Sequence, residues 1–265
     1  MTLIAGNLVV VRGAGDLATG TILRLVHSGF RVVALEVEAP SSIRRTVSFS
    51  EAMYDGSATV EGVTALRCDT PPEAWSPGDP VSILLDPEAR CLERLRPLAL
   101  VDAILAKRNL GTHLDMAPLV IALGPGFEAG RDVHAVIETN RGHDLGRVLL
   151  CGSAEPNTGV PGLIGGQGKE RVLHAPAAGP VEALCRIADQ VQTGDPILAI
   201  RGHVLRSSID GVVRGLIRPG FEARKGLKVA DVDPRGRREH CFSVSDKARS
   251  IAGGVLEAIL RLGGR

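Results

Sequence analysis

The residues best suited to chemistry lie near the start of the sequence, where an apolar run leads into a glycine-rich turn, VVVRGAGDLATG at residues 9–20. Gly13 allows a tight turn, Gly15 lets the backbone approach a phosphate, and Ala18 stands where such motifs have their third small residue. The amides and the positive end of the following helix attract an anion. We therefore predict a nucleotide phosphate site formed by Gly13, Ala14, Gly15, Asp16, Leu17 and Ala18.

Two acidic residues bear on this hypothesis in opposite ways. Glu36 ends the next apolar run, twenty-one residues after Gly15, where an acid is expected to accept hydrogen bonds from ribose hydroxyls. Asp16 instead places a carboxylate inside the turn, where it would repel a pyrophosphate unless it caps the helix by bonding the amide near Thr19. A turn that binds nothing therefore stays open as the alternative.

Further polar side chains could contact the far parts of a ligand. Arg44, beside Arg45, follows Glu36 by eight residues and could reach a ribose phosphate, although a solvated charged pair is the competing interpretation. A later turn, TNRGH, packs arginine and histidine between small residues, which favours ligand or interface contacts. Its predicted binding residues are Asn140, Arg141 and His143.

His134 and Glu138 are four residues apart, a spacing that on a helix would suit a metal ion. Alternating apolar residues between them indicate a strand, on which they would lie roughly 13 Å apart along the chain. We predict no metal site. If the protein moves a hydride, His134 or His143 is the expected proton donor.

Apolar runs indicate a parallel sheet. Residues 8–12 and 31–36 are predicted strands with a helix between them, an order that requires parallel pairing. Runs at 81–85 and 98–104 extend the sheet. The predicted fold class is α/β, with a Rossmann-like nucleotide-binding domain at residues 1–110.

Beyond about residue 106 the strands shorten and glycines recur, which is typical of an all-β region. We predict a β domain at residues 111–240 with a glycine-rich linker candidate at 151–170. Residues 174–233 repeat with an offset of thirty-two residues, which predicts a pseudo-twofold barrel-sandwich unit resembling biotinyl and lipoyl domains. The matching pairs include Gly179 with Gly211, Val181 with Val213, Gly194 with Gly226, and Ile197 with Val229.

Biotinyl and lipoyl domains present a lysine at a hairpin tip, whereas the corresponding tip here is Arg201, Gly202 and His203. We therefore predict neither biotin nor lipoate and expect a structural or substrate-docking unit. A charged cluster follows the second half of the repeat, and we interpret it as a structural ion-pair corner. Its members are Lys228, Asp231, Asp233 and Arg235.

Residues 241–265 are predicted to pack back on the first domain. A helix over Asp246–Leu262 begins after Ser245, a natural N-cap. Gly253 and Gly254 lie inside it and cost about 1 kcal/mol each relative to alanine. Such a helix usually has a close packing neighbour.

Composition excludes several partners. Thirty-one basic and thirty acidic residues give a net charge of +1, and aromatic residues make up 3%, so neither nucleic acid nor a membrane surface is an expected partner. The sequence has no 18-residue apolar run and no export signal at its start, which predicts a cytoplasmic protein. The five cysteines form no CxxC pair, so reduced thiols are expected.

Motifs along nearly the whole chain resemble the YqeB-type accessory proteins of selenium-dependent molybdenum hydroxylase systems. They are RGAGDLATG, the middle series GPGF, DVH, VIET and RGH, the late segments GVVRGLI and DVDPR, and the terminal SDKAR and GGVLEAIL. The resemblance implies a role in maturing or supplying the cofactor of molybdenum hydroxylases.

The favoured hypothesis is a cytoplasmic accessory protein that handles or inserts the molybdenum cofactor. We expect it to hold a nucleotide or dinucleotide, either NAD(P) or the dinucleotide form of molybdopterin, between its domains. Expected partners are a hydroxylase apoprotein or other maturation proteins, and a homo-oligomer stays open. The competing hypotheses are an NAD(P)-dependent oxidoreductase acting on a small substrate, and a scaffold with an empty turn.

Overall fold

The computed structural model describes residues 7–71, 75–76 and 78–263, which divide into two units. The first unit runs through Pro40, from Ser48 to Asn157, and from Val244 onward. The second comprises Ser41–Val47 and Thr158–Ser243. The ends of the predicted domains, residues 1–6 and 264–265, lie outside the described residues.

Within the described residues, the first unit contains a nine-stranded mixed sheet in the order β3-β4-β5-β2-β1-β6-β7-β8-β9. The strands are β1 (Leu8–Arg12), β2 (Arg31–Glu36), β3 (Ser57–Val60), β4 (Val63–Cys68), β5 (Val81–Leu85), β6 (Ala99–Asp102), β7 (Leu119–Leu123), β8 (Ala135–Ile137) and β9 (Val148–Leu149). The strands from β4 to β8 in this order pair in parallel, and β3 and β9 add antiparallel edges.

The central strands are apolar along nearly their whole length because both faces of the sheet are covered. Val10, Leu100 and Val120 belong to one buried cluster with Leu92. By the alternation of side chains, Val9 and Val11 point to the opposite face. The sheet therefore fixes where each strand ends, and with it the positions of the polar residues that follow.

Helices of the first unit are α1 (Asp16–His27), α2 (Ala52–Asp55), α3 (Leu92–Leu95) and α4 (Asp246–Leu262). The N-cap of α4 is confirmed: Ser245 Oγ accepts a hydrogen bond from the Ala248 amide at 3.1 Å. The α4 helix packs against α1 so closely that a Cβ on Gly20 would lie 2.7 Å from Ala248 Cβ. Gly254 is equally constrained, because a Cβ there would overlap the carbonyl oxygen of Gly146.

The predicted boundary at residue 110 requires correction. The β7 and β8 strands continue the parallel sheet beyond it, and the first unit extends to Asn157. The connections before β7 and β8 contain no α-helix, so the sequence shows short strands and glycines where the fold still has parallel topology. The second unit begins within the glycine-rich segment 151–170.

The second unit contains two four-stranded sheets among the described residues, ordered β10-β17-β15-β12 and β14-β13-β11-β16, with antiparallel pairing. The strands are β10 (Val172–His174), β11 (Gly179–Ala183), β12 (Gln190–Val191), β13 (Pro196–Ile200), β14 (His203–Arg206), β15 (Gly211–Leu216), β16 (Glu222–Ala223) and β17 (Lys228–Asp233). The starts of β11, β12 and β13 recur thirty-two residues later in β15, β16 and β17, so the predicted repeat is present.

The two carboxylates of the predicted ion-pair corner, Asp231 and Asp233, are buried in the second unit. Asp231 accepts from Arg171 and from Arg214, whose Nη2 lies 2.6 Å from Asp231 Oδ2. Asp233 accepts from Arg214 and Arg235. Burial alone would raise the pKa of Asp231, but the charges of Lys228, Arg214 and Arg171 outweigh it and hold that pKa below its usual value.

The chain is thus an α/β protein with a mixed sheet and antiparallel sheets in its described part. No helix in the described ranges combines the length and apolar character needed to cross a lipid bilayer.

Candidate functional site

The glycine-rich turn connects β1 to α1 at the carboxyl edge of the sheet. Gly13 has φ of +96°, and a Cβ there would lie 2.9 Å from the Ala103 carbonyl oxygen, so no other residue fits without movement. Its amide donates to Leu35 O at 2.7 Å. The turn is therefore fixed between the ends of β2 and β6.

Gly15 is the N-cap of α1, with an extended backbone and no side chain to satisfy the first helical amides. The Thr19 amide donates to Gly15 O at 2.7 Å and so makes the first helical bond. Amides at a helix start have no intrahelical acceptor, which leaves Leu17 and Ala18 as natural donors to an anion.

Asp16 does not cap α1. The Thr19 amide, its expected partner, is bound to the Gly15 carbonyl, and Asp16 is the first residue of the helix. A carboxylate there interacts favourably with the helix dipole but competes with an incoming phosphate for the same field.

The carbonyl of Ala14 is fastened by a second segment of the first unit. It accepts from the Ser50 amide at 2.8 Å and from Thr19 Oγ1 at 3.1 Å. Thr19 Oγ1 in turn accepts from the Phe49 amide at 2.9 Å. These bonds hold the turn against the segment that contains Phe49 and Ser50.

Glu36 contacts the turn itself. Its Oε2 accepts from the Ala14 amide at 2.8 Å, and its Oε1 accepts from the Val37 amide at 2.9 Å. Burial raises the pKa of Glu36, and the bonds from Val37 and Ala14 oppose that rise. The carboxylate thus already occupies one turn amide, and its contact with a ribose stays a prediction.

A buried polar network lies at the carboxyl ends of β1 and β6. Arg12 donates through Nη1 to Thr112 Oγ1 at 2.5 Å and through Nη2 to Pro87 O at 2.6 Å. Thr112 Oγ1 donates to Asp102 Oδ2 at 2.6 Å. Arg12 is 5% exposed, and its Nε has no hydrogen-bond partner within the described part of the chain.

The end of β8 carries the predicted middle cluster. Glu138 is buried and accepts from the amides of Asn140 and Glu155 at 2.7 and 2.8 Å. Arg141 donates to both carboxylate oxygens of Asp246, at 2.7 and 2.8 Å. His143 is exposed.

Asn140, Arg141 and His143 therefore lie at the same edge of the sheet as the glycine turn. Because β8 is three strand positions from β1 in the sheet, this cluster lies roughly 14 Å from the turn along that edge. Asn140 Nδ2 donates to the Glu155 carboxylate, so both Asn140 and Arg141 have protein partners.

His134 lies at the opposite edge. It precedes β8, and its Nδ1 accepts from the Val120 amide at 3.0 Å near the start of β7. This position holds two strands together and counts against His134 as a proton donor to a ligand on the glycine turn. In the described ranges, no group of three histidine, cysteine or acidic side chains could hold a metal ion.

Arg44 belongs to the second unit. It is buried, and Nη2 donates to the carbonyl oxygens of His240 and Ser243 at 2.8 and 3.2 Å. Arg45 Nε donates to Leu216 O at 2.8 Å. Both arginines bind the segment Ser41–Val47 to the rest of the second unit. This arrangement differs from the predicted solvated or phosphate-binding pair.

Comparison with known sequences identifies the family. Over 258 residues, or 97% of this chain, the sequence is 52% identical to "Uncharacterized protein YqeB" of Escherichia coli. The chain belongs to the YqeB-type family. It spans 48% of that relative's length, so it corresponds to about half of the longer protein. No protein-family model matches the chain.

Solved structures offer distant likenesses to this YqeB-type chain. An aspartoacylase family protein from Mesorhizobium loti is 12% identical with a TM-score of 0.27, covering 85% of this chain and 84% of that one. A succinylglutamate desuccinylase from a Silicibacter species is 12% identical with a TM-score of 0.26, covering 86% and 84%. Scores at this level carry no argument about fold or activity.

Several residues of the candidate site were not predicted from the sequence. Thr19 and Ser50 fasten the turn, while Arg12, Asp102 and Thr112 form the network beside it. Asp102 carried a usable signal, because it is the polar residue that ends an apolar strand next to β1. The hydrogen-bond partners of Arg12 and Thr19 belong to distant segments, so no signal in the sequence identified them.

Proposed function

We propose that this YqeB-type chain is an accessory protein in the maturation of molybdenum hydroxylases, and that its first unit binds a nucleotide or dinucleotide. The observation that supports binding most directly is the turn from Gly13 to Gly15, which leads into α1 and excludes a side chain at Gly13. The maturation role rests on the family resemblance of the sequence motifs.

The order of the parallel strands supports the same proposal. Within the sheet, β5-β2-β1-β6-β7-β8 follows the order of Rossmann-like, doubly wound sheets. In such sheets a ligand lies at the carboxyl edge, at the point where the strand order reverses, here between β1 and β6. The glycine turn and Asp102 lie at that position.

The proposed ligand is NAD(P) or the dinucleotide form of molybdopterin. Leu17 and Ala18 would donate their amides to a phosphate, and Glu36 would accept from a ribose. Arg141 and His143 lie farther along the same edge and would contact the other end of a long ligand. The proposed partner is a hydroxylase apoprotein or another maturation protein, in the cytoplasm.

The second unit, in this proposal, is a barrel-sandwich module that docks a partner or substrate and carries no prosthetic group. Its hairpin between β13 and β14 turns at Arg201 and Gly202, both with left-handed φ. An arginine cannot form the amide link that biotin or lipoate needs.

An NAD(P)-dependent oxidoreductase is the second candidate, favoured by the exposed His143 at the carboxyl edge. A carrier binds its ligand without turnover, whereas an oxidoreductase changes the nicotinamide absorbance with some substrate.

Native mass spectrometry of the protein from its own host, followed by calorimetry with NAD(P) and cytidine nucleotides, tests the proposal. We expect a co-purified nucleotide mass that is lost in Gly15→Asp. The matched control is Gly253→Asp, the same change at a glycine of α4 that has no positive φ and where a Cβ meets no atom within 4 Å. A protein that is consistently empty, with no heat of binding, would refute the nucleotide site.

A further inference from the structure

The loop from Ala103 to Thr112, which follows β6, is built against the glycine turn. Its first residue donates its amide to Arg12 O at 2.8 Å, and its carbonyl leaves no room for a Cβ on Gly13. Farther along, the backbone of Arg108 would lie 2.6 Å from a Cβ on Gly126, in the turn that follows β7. The loop is thus held between two glycine turns at the same edge of the sheet.

Side chains fasten the far end of the loop. Asn109 Oδ1 accepts from the amides of Gly111 and Thr112, each at 2.8 Å. Thr112 bonds Asp102 and buried Arg12, as described above. Leu105 and Lys107 have φ of +59° and +63°, a conformation that is unfavourable for a non-glycine residue and persists only where the surroundings impose it.

This rigid loop presents two cations, Lys107 and Arg108, both exposed. Within the described residues, neither side chain has an ion-pair or hydrogen-bond partner. At the base of the loop, Arg12 adds a buried Nε donor without an acceptor among the described residues.

We propose that Lys107 and Arg108 bind the second phosphate of the ligand, so that the site selects a diphosphate-containing nucleotide over a nucleoside monophosphate. This inference rests on the proposed nucleotide site and specifies its substrate class. Amides at the start of α1 hold one phosphate, and the two loop cations neutralise the charge of the next.

Calorimetry with ADP, AMP, CDP and CMP tests the inference, using wild type and the double variant Lys107→Gln with Arg108→Gln. The double variant should lose affinity for ADP and CDP by roughly tenfold for each charge removed, while AMP and CMP change by less than about threefold. Arg96→Gln is the matched control, since this exposed cation precedes β6 at the opposite edge of the sheet.

Failure of the nucleotide site and failure of the proposed Lys107 and Arg108 contacts give different experimental results. If wild type binds none of the four nucleotides, the proposed site is wrong and the inference falls with it. If Gly15→Asp abolishes binding of ADP or CDP but the double variant keeps the wild-type ratio of diphosphate to monophosphate affinity, the site stands and the role of Lys107 and Arg108 is refuted. Because Arg108 contacts Gly126 through backbone atoms, the glutamine variants should fold normally.

Discussion

Alanine should have opposite effects on stability at two adjacent glycines of α4. A Cβ added at Gly253 meets no atom within 4 Å, whereas one at Gly254 would overlap Gly146 O and lie 3.0 Å from Ile137 Cγ2. Alanine is more favourable than glycine inside a helix by about 1 kcal/mol, so Gly253→Ala should raise the free energy of unfolding of the first unit by that amount.

Gly254→Ala gains the same helix propensity but overpacks the contact between α4 and the sheet. Overpacking costs about 1–3 kcal/mol, and we take the upper end because the obstructing atom belongs to the backbone of Gly146. The net effect is a loss of about 2 kcal/mol. The two variants should therefore differ by about 3 kcal/mol, roughly a hundredfold in the unfolding equilibrium.

Trp75 makes the measurement specific. It is the single tryptophan of the sequence and packs against the core of the first unit, so its fluorescence during urea unfolding reports that unit. We expect the midpoint to rise for Gly253→Ala and to fall for Gly254→Ala. Equal midpoints, or a Gly254→Ala variant as stable as wild type, would show that α4 does not approach Gly146 as described.

Three further predictions concern stability. Asp231→Asn leaves buried Arg171 without its carboxylate and removes one of the two carboxylates that Arg214 contacts. It should cost about 3–5 kcal/mol, measured as faster hydrogen exchange in peptides covering β15 and β17. Because the pKa values of Asp231 and Asp233 are lowered in the folded state, their stabilisation is fully present above the ordinary aspartate pKa and is lost as pH falls through the lowered values. An acid titration of the same peptides should show protection that persists at pH 5 and declines progressively below about pH 4. Ser245→Ala removes the N-cap bond of α4 and should lower the urea midpoint of Trp75 fluorescence by an amount equivalent to about 1 kcal/mol.

The elements that follow from local pattern were predictable. The strands at 8–12, 31–36 and 81–85 agree with the structure at both ends, and the helix over Asp246–Leu262 begins after its expected cap. Each has a continuous apolar run or a helical period, together with a glycine or a capping residue at its boundary. Such signals are local, so the sequence carries them without knowledge of the fold.

The division into units was not predictable in the same way. Ser41–Val47 joins the second unit through contacts far along the chain, such as the bond from the Leu216 amide to Ile43 O at 2.7 Å. The β8 strand has three residues and reaches β7 without a helix between them. Neither segment shows a periodic pattern of apolar residues in the sequence, because long-range contacts alone decide where these segments pack.

For the candidate site, the glycine-rich turn was identifiable from the sequence. Which of its backbone amides already have hydrogen-bond acceptors within the protein was not. The Ala14 amide is bound by Glu36, and the Thr19 amide by Gly15 O, so the donors for a phosphate are narrowed to the first amides of α1. Asp16 adds negative charge at that same helix start, which weakens attraction for an anion. Cations from outside the turn would strengthen the binding of a phosphate there. In the proposal, Lys107 and Arg108 do so from the loop whose first residue, Ala103, bonds Arg12 O beside Gly13.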